Sequence, residues 1–167
     1  MTGKITKYEP ASDYTLRNAK VFKEMSEETV CFHASIYLGN KHVGWVKNQG
    51  QGGCNSYDFN IRADEEAFEK TAKALPPYEY NGKQFKQGMD GLADILLAEF
   101  EGYKEATKYF TYIPEGKRIE QSRAGFKTGR KKVKHDDPNL ERWLKEDKAK
   151  GISYTLVSKD HWGLADA

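Results

Sequence analysis

Val30-Cys31-Phe32-His33-Ala34-Ser35-Ile36-Tyr37-Leu38, then Gly39-Asn40, then His42-Val43-Gly44-Trp45-Val46 is the stretch on which the fold turns. Val30, Phe32, Ala34, Ile36 and Leu38 occupy alternate positions, and Cys31, His33, Ser35 and Tyr37 fill those between. A period of two places alternate side chains on opposite faces, as in a strand with one buried face. Gly39 and Asn40 tolerate the positive φ that a tight hairpin turn demands. His42 to Val46 therefore returns as the partner strand, carrying Val43 and Trp45.

Working outward, Tyr14 to Phe22 reads as a preceding strand and Ser26-Glu27-Glu28-Thr29 as a polar connection. Beyond the loop Asn48-Gln49-Gly50-Gln51-Gly52-Gly53-Cys54-Asn55, the residues Tyr57, Phe59 and Ile61 alternate again. Consecutive strands joined by short turns predict an antiparallel meander. At Asp64 the pattern changes. Asp64 is placed to cap a helix with Glu65 and Glu66 in its first turn, where negative charge is favoured. Phe68, Ala72 and Leu75 form its stripe, and Pro76-Pro77 ends it. Tyr78 to Gln87 reads as a connection carrying aromatics. A longer helix follows with Met89, Leu92, Ala93, Leu96, Phe100, Tyr103 and Phe110 at helical spacing, and Thr111 to Pro114 adds a short strand. Asp137 and Pro138 mark a third helix start, Leu140, Trp143 and Leu144 its apolar face, and Gly151 its end. Ile152, Tyr154 and Leu156 close the chain as a strand. The fold class expected is α+β, an antiparallel β-meander sheet packed against two or three helices. All 167 residues are read as one domain, with residues 1–13 as a loose arm and 117–134 as a basic loop or hairpin.

Hydrophobic residues make up 38% of the chain and aromatics 13%, enough large rings to offset chain entropy, which argues against disorder. The formal net charge is only +2, so any nucleic-acid footprint must be local. Two cysteines, Cys31 and Cys54, are too few for a disulfide framework and fit reduced thiols in a cytoplasmic setting. The start carries no apolar run of a secretory signal, and no run approaches the roughly 20 residues that cross a bilayer. A soluble cytoplasmic protein is expected.

No complete catalytic or cofactor motif is present. The three glycines Gly50, Gly52 and Gly53 let backbone N–H groups converge into a nest able to hold an anion. A phosphate loop, however, feeds a helix, and this one joins two strands. Cys54 lacks a readable partner base, although His33 or His42 could approach it across the sheet. His33 and Ser35 form half of a two-histidine phosphoesterase pattern whose second tripeptide is missing. His135-Asp136-Asp137 reads as a helix cap ahead of a metal site, so neither a metal nor a cofactor is expected. The strongest local signal is cationic: Lys117, Arg118, Arg123, Lys127, Arg130, Lys131, Lys132 and Lys134 surround one acid, Glu120, while the rest of the chain is mildly acidic. Such a cluster neutralises phosphates, and Phe126 within it offers a ring for stacking.

Residues 16–54, LRNAKVF through the SEET turn to NQGQGGC, resemble small proteins of bacteriophages and bacterial mobile elements. In those a polar S-E-E-T turn precedes a strand, a hairpin and an N-x-G-x-G-G-C loop. The resemblance implies an accessory protein acting in a bacterial cytoplasm on a host factor, a nucleic acid or a signalling nucleotide, and it brings no catalytic residue. The reading that follows is a non-enzymatic binding protein for an anionic partner: a nucleic acid, a nucleotide or an acidic host-protein surface. Lys127, Arg130, Lys131, Lys132, Lys134 and Arg123 would make the contact, together with Gly50, Gly52 and Gly53. Two alternatives stand beside it, a small phosphoesterase- or nucleotide-acting enzyme using His33 and Cys54, and a host-protein inhibitor that touches no nucleic acid.

Overall fold

The computed structural model describes residues 10–114, 133–134, 136–151 and 154–157. The chain divides into two units, one of residues 11–100 and one built mainly from residues beyond them.

In the first unit four strands, β1 (Tyr14–Val21), β2 (Phe32–Leu38), β3 (Lys41–Asn48) and β4 (Ser56–Phe59), form a sheet in the order β1-β2-β3-β4. Every neighbouring pair is antiparallel, so the meander expected from the alternation is present. Helix α1 (Arg62–Lys73) and helix α2 (Met89–Ala106) follow, with a hairpin of β5 (Tyr78–Tyr80) and β6 (Lys83–Phe85) between them. One sheet face supplies Tyr14, Leu16, Phe32, Ala34, Ile36, Val43 and Val46 to the core; Phe68 and Ala72 of α1 and Leu92, Leu96 and Leu97 of α2 complete it. Phe68 is fully buried and meets Tyr14 edge-on at 5.0 Å between centroids.

Two bulges interrupt the ladder. On β1, Arg17 faces Ser35 and Lys20 faces His33, so two residues, Asn18 and Ala19, stand against Ala34 alone. Asn18 takes a positive φ of 53°, which asparagine tolerates better than most residues. On β3, His42 faces Tyr37 and Gly44 faces Ile36, leaving Val43 as the extra residue. The carbonyls there are held by Asn60, whose side chain donates to His42 O at 2.7 Å and whose backbone N–H donates to Val43 O at 2.9 Å. Gly44 is required because a Cβ would stand 2.6 Å from Asp58 O and 2.9 Å from Phe59 Cα. A bulge adds one residue to a strand, so side chains three apart end on the same face.

Several boundaries differ from expectation. Val30 is 48% exposed and Cys31 is buried, because the ladder starts two residues later than the alternation, at Phe32, and both lie ahead of it. Cys31 is pinned ahead of it, its N–H donating to Ser26 Oγ and its carbonyl accepting from Phe22 N–H. Ile61 leaves the strand and is the N-cap of α1. Asp64 is therefore inside the first turn and forms an ion pair with Lys41 at 2.9 Å. The aromatic connection is the β5–β6 hairpin, turned by Asn81-Gly82 with φ of 50° and 72°, the asparagine-glycine pair that favours such turns.

The second unit contains a sheet of β8 (Val133–Lys134), β7 (Tyr109–Pro114) and β9 (Tyr154–Val157) in the order β8-β7-β9, and helix α3 (Leu140–Ala149). Phe110 belongs to β7, paired with Val133, because α2 stops at Ala106. Asn139 is the N-cap of α3. Asp137 acts just before it, accepting the Asn139 N–H at 2.9 Å in a local turn. Gly151, at a φ of 71°, lies past the end of the helix.

Candidate functional site

The glycine-rich loop between β3 and β4 is built around Asn48. Its Oδ1 accepts from Gly50 N–H at 2.8 Å and from Thr29 Oγ1 at 2.7 Å. Its Nδ2 donates to Gly53 O and to Asn55 Oδ1 at 3.3 and 3.0 Å. The Gly52 N–H donates to Thr29 Oγ1 at 3.3 Å, and Gly50 O accepts the N–H groups of Glu27, Glu28 and Thr29. Gly50 is buried at a φ of 84°, and a Cβ there would meet Met25 O and come within 2.8 Å of Cys31 Cβ. Above Gly52 lies the Glu28 carboxylate, whose Oε2 would be 2.6 Å from an added Cβ. Two of the converging donors are therefore engaged within the protein, and a carboxylate stands beside Gly52.

The far end of the loop is tied to α2. Asn55 N–H and Tyr57 OH donate to the two oxygens of Asp90, at 3.2 and 2.7 Å. Burial, reinforced by the Asp90 carboxylate that its hydroxyl serves as donor, pushes the Tyr57 phenol well above its ordinary range.

Opposite the core, the sheet carries a different population. Register and burial place Thr15, Arg17 and Lys20 of β1, His33, Ser35 and Tyr37 of β2, His42, Trp45 and Lys47 of β3, and Asp58 of β4 on this outer face. They fall into cross-strand rows. Lys20, His33 and Lys47 form one row, Arg17, Ser35, Trp45 and Asp58 the next, and Thr15, Tyr37 and His42 a third. Both bulges serve this arrangement. Without them Arg17 and Lys20, like His42 and Trp45, would point to opposite sides.

The rings touch in sequence. Tyr37 meets His42 at 5.2 Å and His42 meets Trp45 at 4.4 Å, both edge-to-face. The Arg17 guanidinium lies over Tyr37 at 4.2 Å from its centroid, held there by bonds from Nη2 to Gly39 O and Asn40 Oδ1. At the other end of the face Phe22, 38% exposed, packs beside His33 at 5.7 Å. Trp45 is 50% exposed. This face carries Arg17, Lys20 and Lys47 against one acid, Asp58, among the described residues.

His33 and Cys54, the pair considered for catalysis, share no hydrogen bond. His33 stands on the outer face between two lysines, and Cys54 is exposed in the loop. No group of three or more histidine, cysteine, aspartate or glutamate side chains placed to hold a metal occurs among the described residues. Of the cationic cluster, Lys134 is exposed in β8; Arg123, Lys127, Arg130, Lys131 and Lys132 lie outside the described residues. No helix among the described residues is long and apolar enough to cross a membrane. No protein-family model matches the chain, nor does any curated protein or solved structure.

Proposed function

We propose that this is a non-enzymatic binding protein whose partner is a nucleic acid, received on the outer face of the four-stranded sheet. The observation that carries the reading is the joint presence on one solvent face of a ring series, Tyr37-His42-Trp45, and of Arg17, Lys20 and Lys47. A protein that folds alone gains little from holding a half-exposed tryptophan among cations, whereas a partner with phosphates and flat bases is served by both. The cationic residues Arg123, Lys127, Arg130, Lys131, Lys132 and Lys134 are proposed as a second, less selective source of attraction, since charge density alone draws polyanions. The glycine loop, with Gly50 and Gly52 donors already engaged and Glu28 above it, is left out of the contact.

The test is binding of a fluorescent oligonucleotide as a function of salt. Lys20 and Lys47, the two cations of the face not engaged by Tyr37, Gly39 and Asn40, correspond to a slope of log affinity on log salt of about −1.4 for a single strand. Lys20→Glu with Lys47→Glu removes most of the binding with little change in Tm. Binding that ignores both salt and this double substitution defeats the proposal. Reversal of Arg130, Lys131 and Lys132 to glutamate in parallel measures the second contribution.

A further inference from the structure

Resting on that reading, we infer that the nucleic acid is single-stranded, with an unpaired base stacked on Trp45 and the adjoining phosphates on Lys47 and Lys20. Three geometric facts point this way.

The first is width. Four strands at a spacing of about 4.8 Å span about 14 Å before side chains are added, and a B-form major groove is about 12 Å wide and admits a helix or two strands. The sheet face therefore meets a duplex only along its phosphates. The second is the ratio of rings to charges. Phosphate-driven binding to duplex DNA draws on many cations, about 6 to 10 in strongly salt-dependent cases. This face offers Arg17, Lys20 and Lys47, and Arg17 is already occupied with Tyr37, Gly39 and Asn40. On this face the few charges leave a large share of the affinity to the rings, and base faces are available to rings only when the bases are unstacked.

The third fact is the placing of Trp45 itself. His42 stands against its ring at 4.4 Å, inclined at 61°, which fixes the indole while leaving it half exposed. Lys47 is two residues along the same strand, about 7 Å away, on the side leading to His33 and Lys20. Asp58 faces Trp45 from β4 and repels phosphate there. The backbone of the strand is thus directed to the lysine row. At the level of Tyr37 the guanidinium of Arg17, planar and held by two hydrogen bonds, extends the platform for a neighbouring base.

The experiment compares a labelled twelve-nucleotide single strand, the corresponding duplex and an abasic oligomer of the same length, each with the wild-type protein, Trp45→Ala, Trp45→Phe and Lys20→Glu/Lys47→Glu. Circular dichroism melts confirm that each variant is folded. The expected result is single-strand binding at least about ten-fold tighter than duplex or abasic binding, a loss of about ten-fold or more in Trp45→Ala, and recovery of most of that loss in Trp45→Phe. Asp58→Asn strengthens binding. Equal affinity for all three probes, with Trp45→Ala unchanged and the lysine reversal abolishing binding, overturns the single-strand inference while leaving the nucleic-acid reading standing. Absence of binding to every probe overturns both.

Discussion

The glycine-rich loop and the outer face of the sheet sit at opposite ends of one relation between sequence and chemistry. The loop is conspicuous in the sequence, with three glycines in four residues, and in the structure its polar groups are largely spent on one another. Asn48 alone makes four hydrogen bonds, to Thr29, Gly50, Gly53 and Asn55. The outer face is inconspicuous, because its residues are scattered over four strands, and it leaves rings and charges directed at solvent. Glycine richness reports a backbone requirement, which structure and ligand binding share. A satisfied loop and an unsatisfied face are told apart only by their partners.

The sharpest way to break this contrast is through stability. Gly50→Ala is expected to cost about 3 kcal/mol or more, since the new methyl must adopt a positive φ and displace Met25 O and Cys31. Thermal or urea unfolding measures it, and a near-neutral result would mean that the loop is adaptable and free to serve a ligand. Asn48→Ala comes next, at about 2 kcal/mol. It leaves the Gly50 N–H and the Gly53 carbonyl short of a partner in a part-buried site.

The link from the loop to α2 gives a pH signature. Tyr57 is held in its neutral form, as donor to Asp90, so its folded pKa lies above the unfolded value of about 10. The stability it contributes is complete below about pH 10 and is lost as pH rises through the folded value, because only the folded state then retains the proton. Tyr57→Phe should cost about 1 kcal/mol at neutral pH. The gap between wild type and variant narrows above about pH 10. Tyr14, raised by burial and by the Asp64 carboxylate, leaves a residual alkaline dependence in the variant. A gap that stays constant between pH 7 and 11 contradicts this account.

How much of this was legible in the chain follows the same division. The alternation from Val30 to Leu38 marks the central strand, with Phe32, Ala34 and Ile36 buried and Val30 and Leu38 at its ends exposed, and the meander and both helices of the first unit come from patterns of the same local kind. The Asn81-Gly82 pair carries a strong turn signal, but strands of three residues on each side are too short to display an alternation beside it. The outer face was hidden by the bulges. Strict alternation puts Val43 and Trp45 together, and only the extra residue in β3 buries the one and exposes the other. The bulge at Asn18, with its positive φ, works the other way and brings Arg17 and Lys20, three residues apart, onto one face. Bulges arise from a local mismatch between two strands that each look regular alone, so one strand's sequence does not display them.

The smallest expected effect is also the most diagnostic. Replacing Lys20, Trp45 or Lys47 singly by alanine should change stability by no more than about 0.5 kcal/mol, the usual range for surface positions without buried partners. Trp45 is the one aromatic residue of the three, and its contact with His42 is edge-on and solvent-facing, so little is lost when it goes. If Trp45→Ala instead lowers stability by 2 kcal/mol or more, the indole contributes to the fold, and its exposure needs no partner to explain it. If stability is unchanged while oligonucleotide affinity falls, the ring is held on that face at no benefit to the folded chain. Its presence is then accounted for by what it binds.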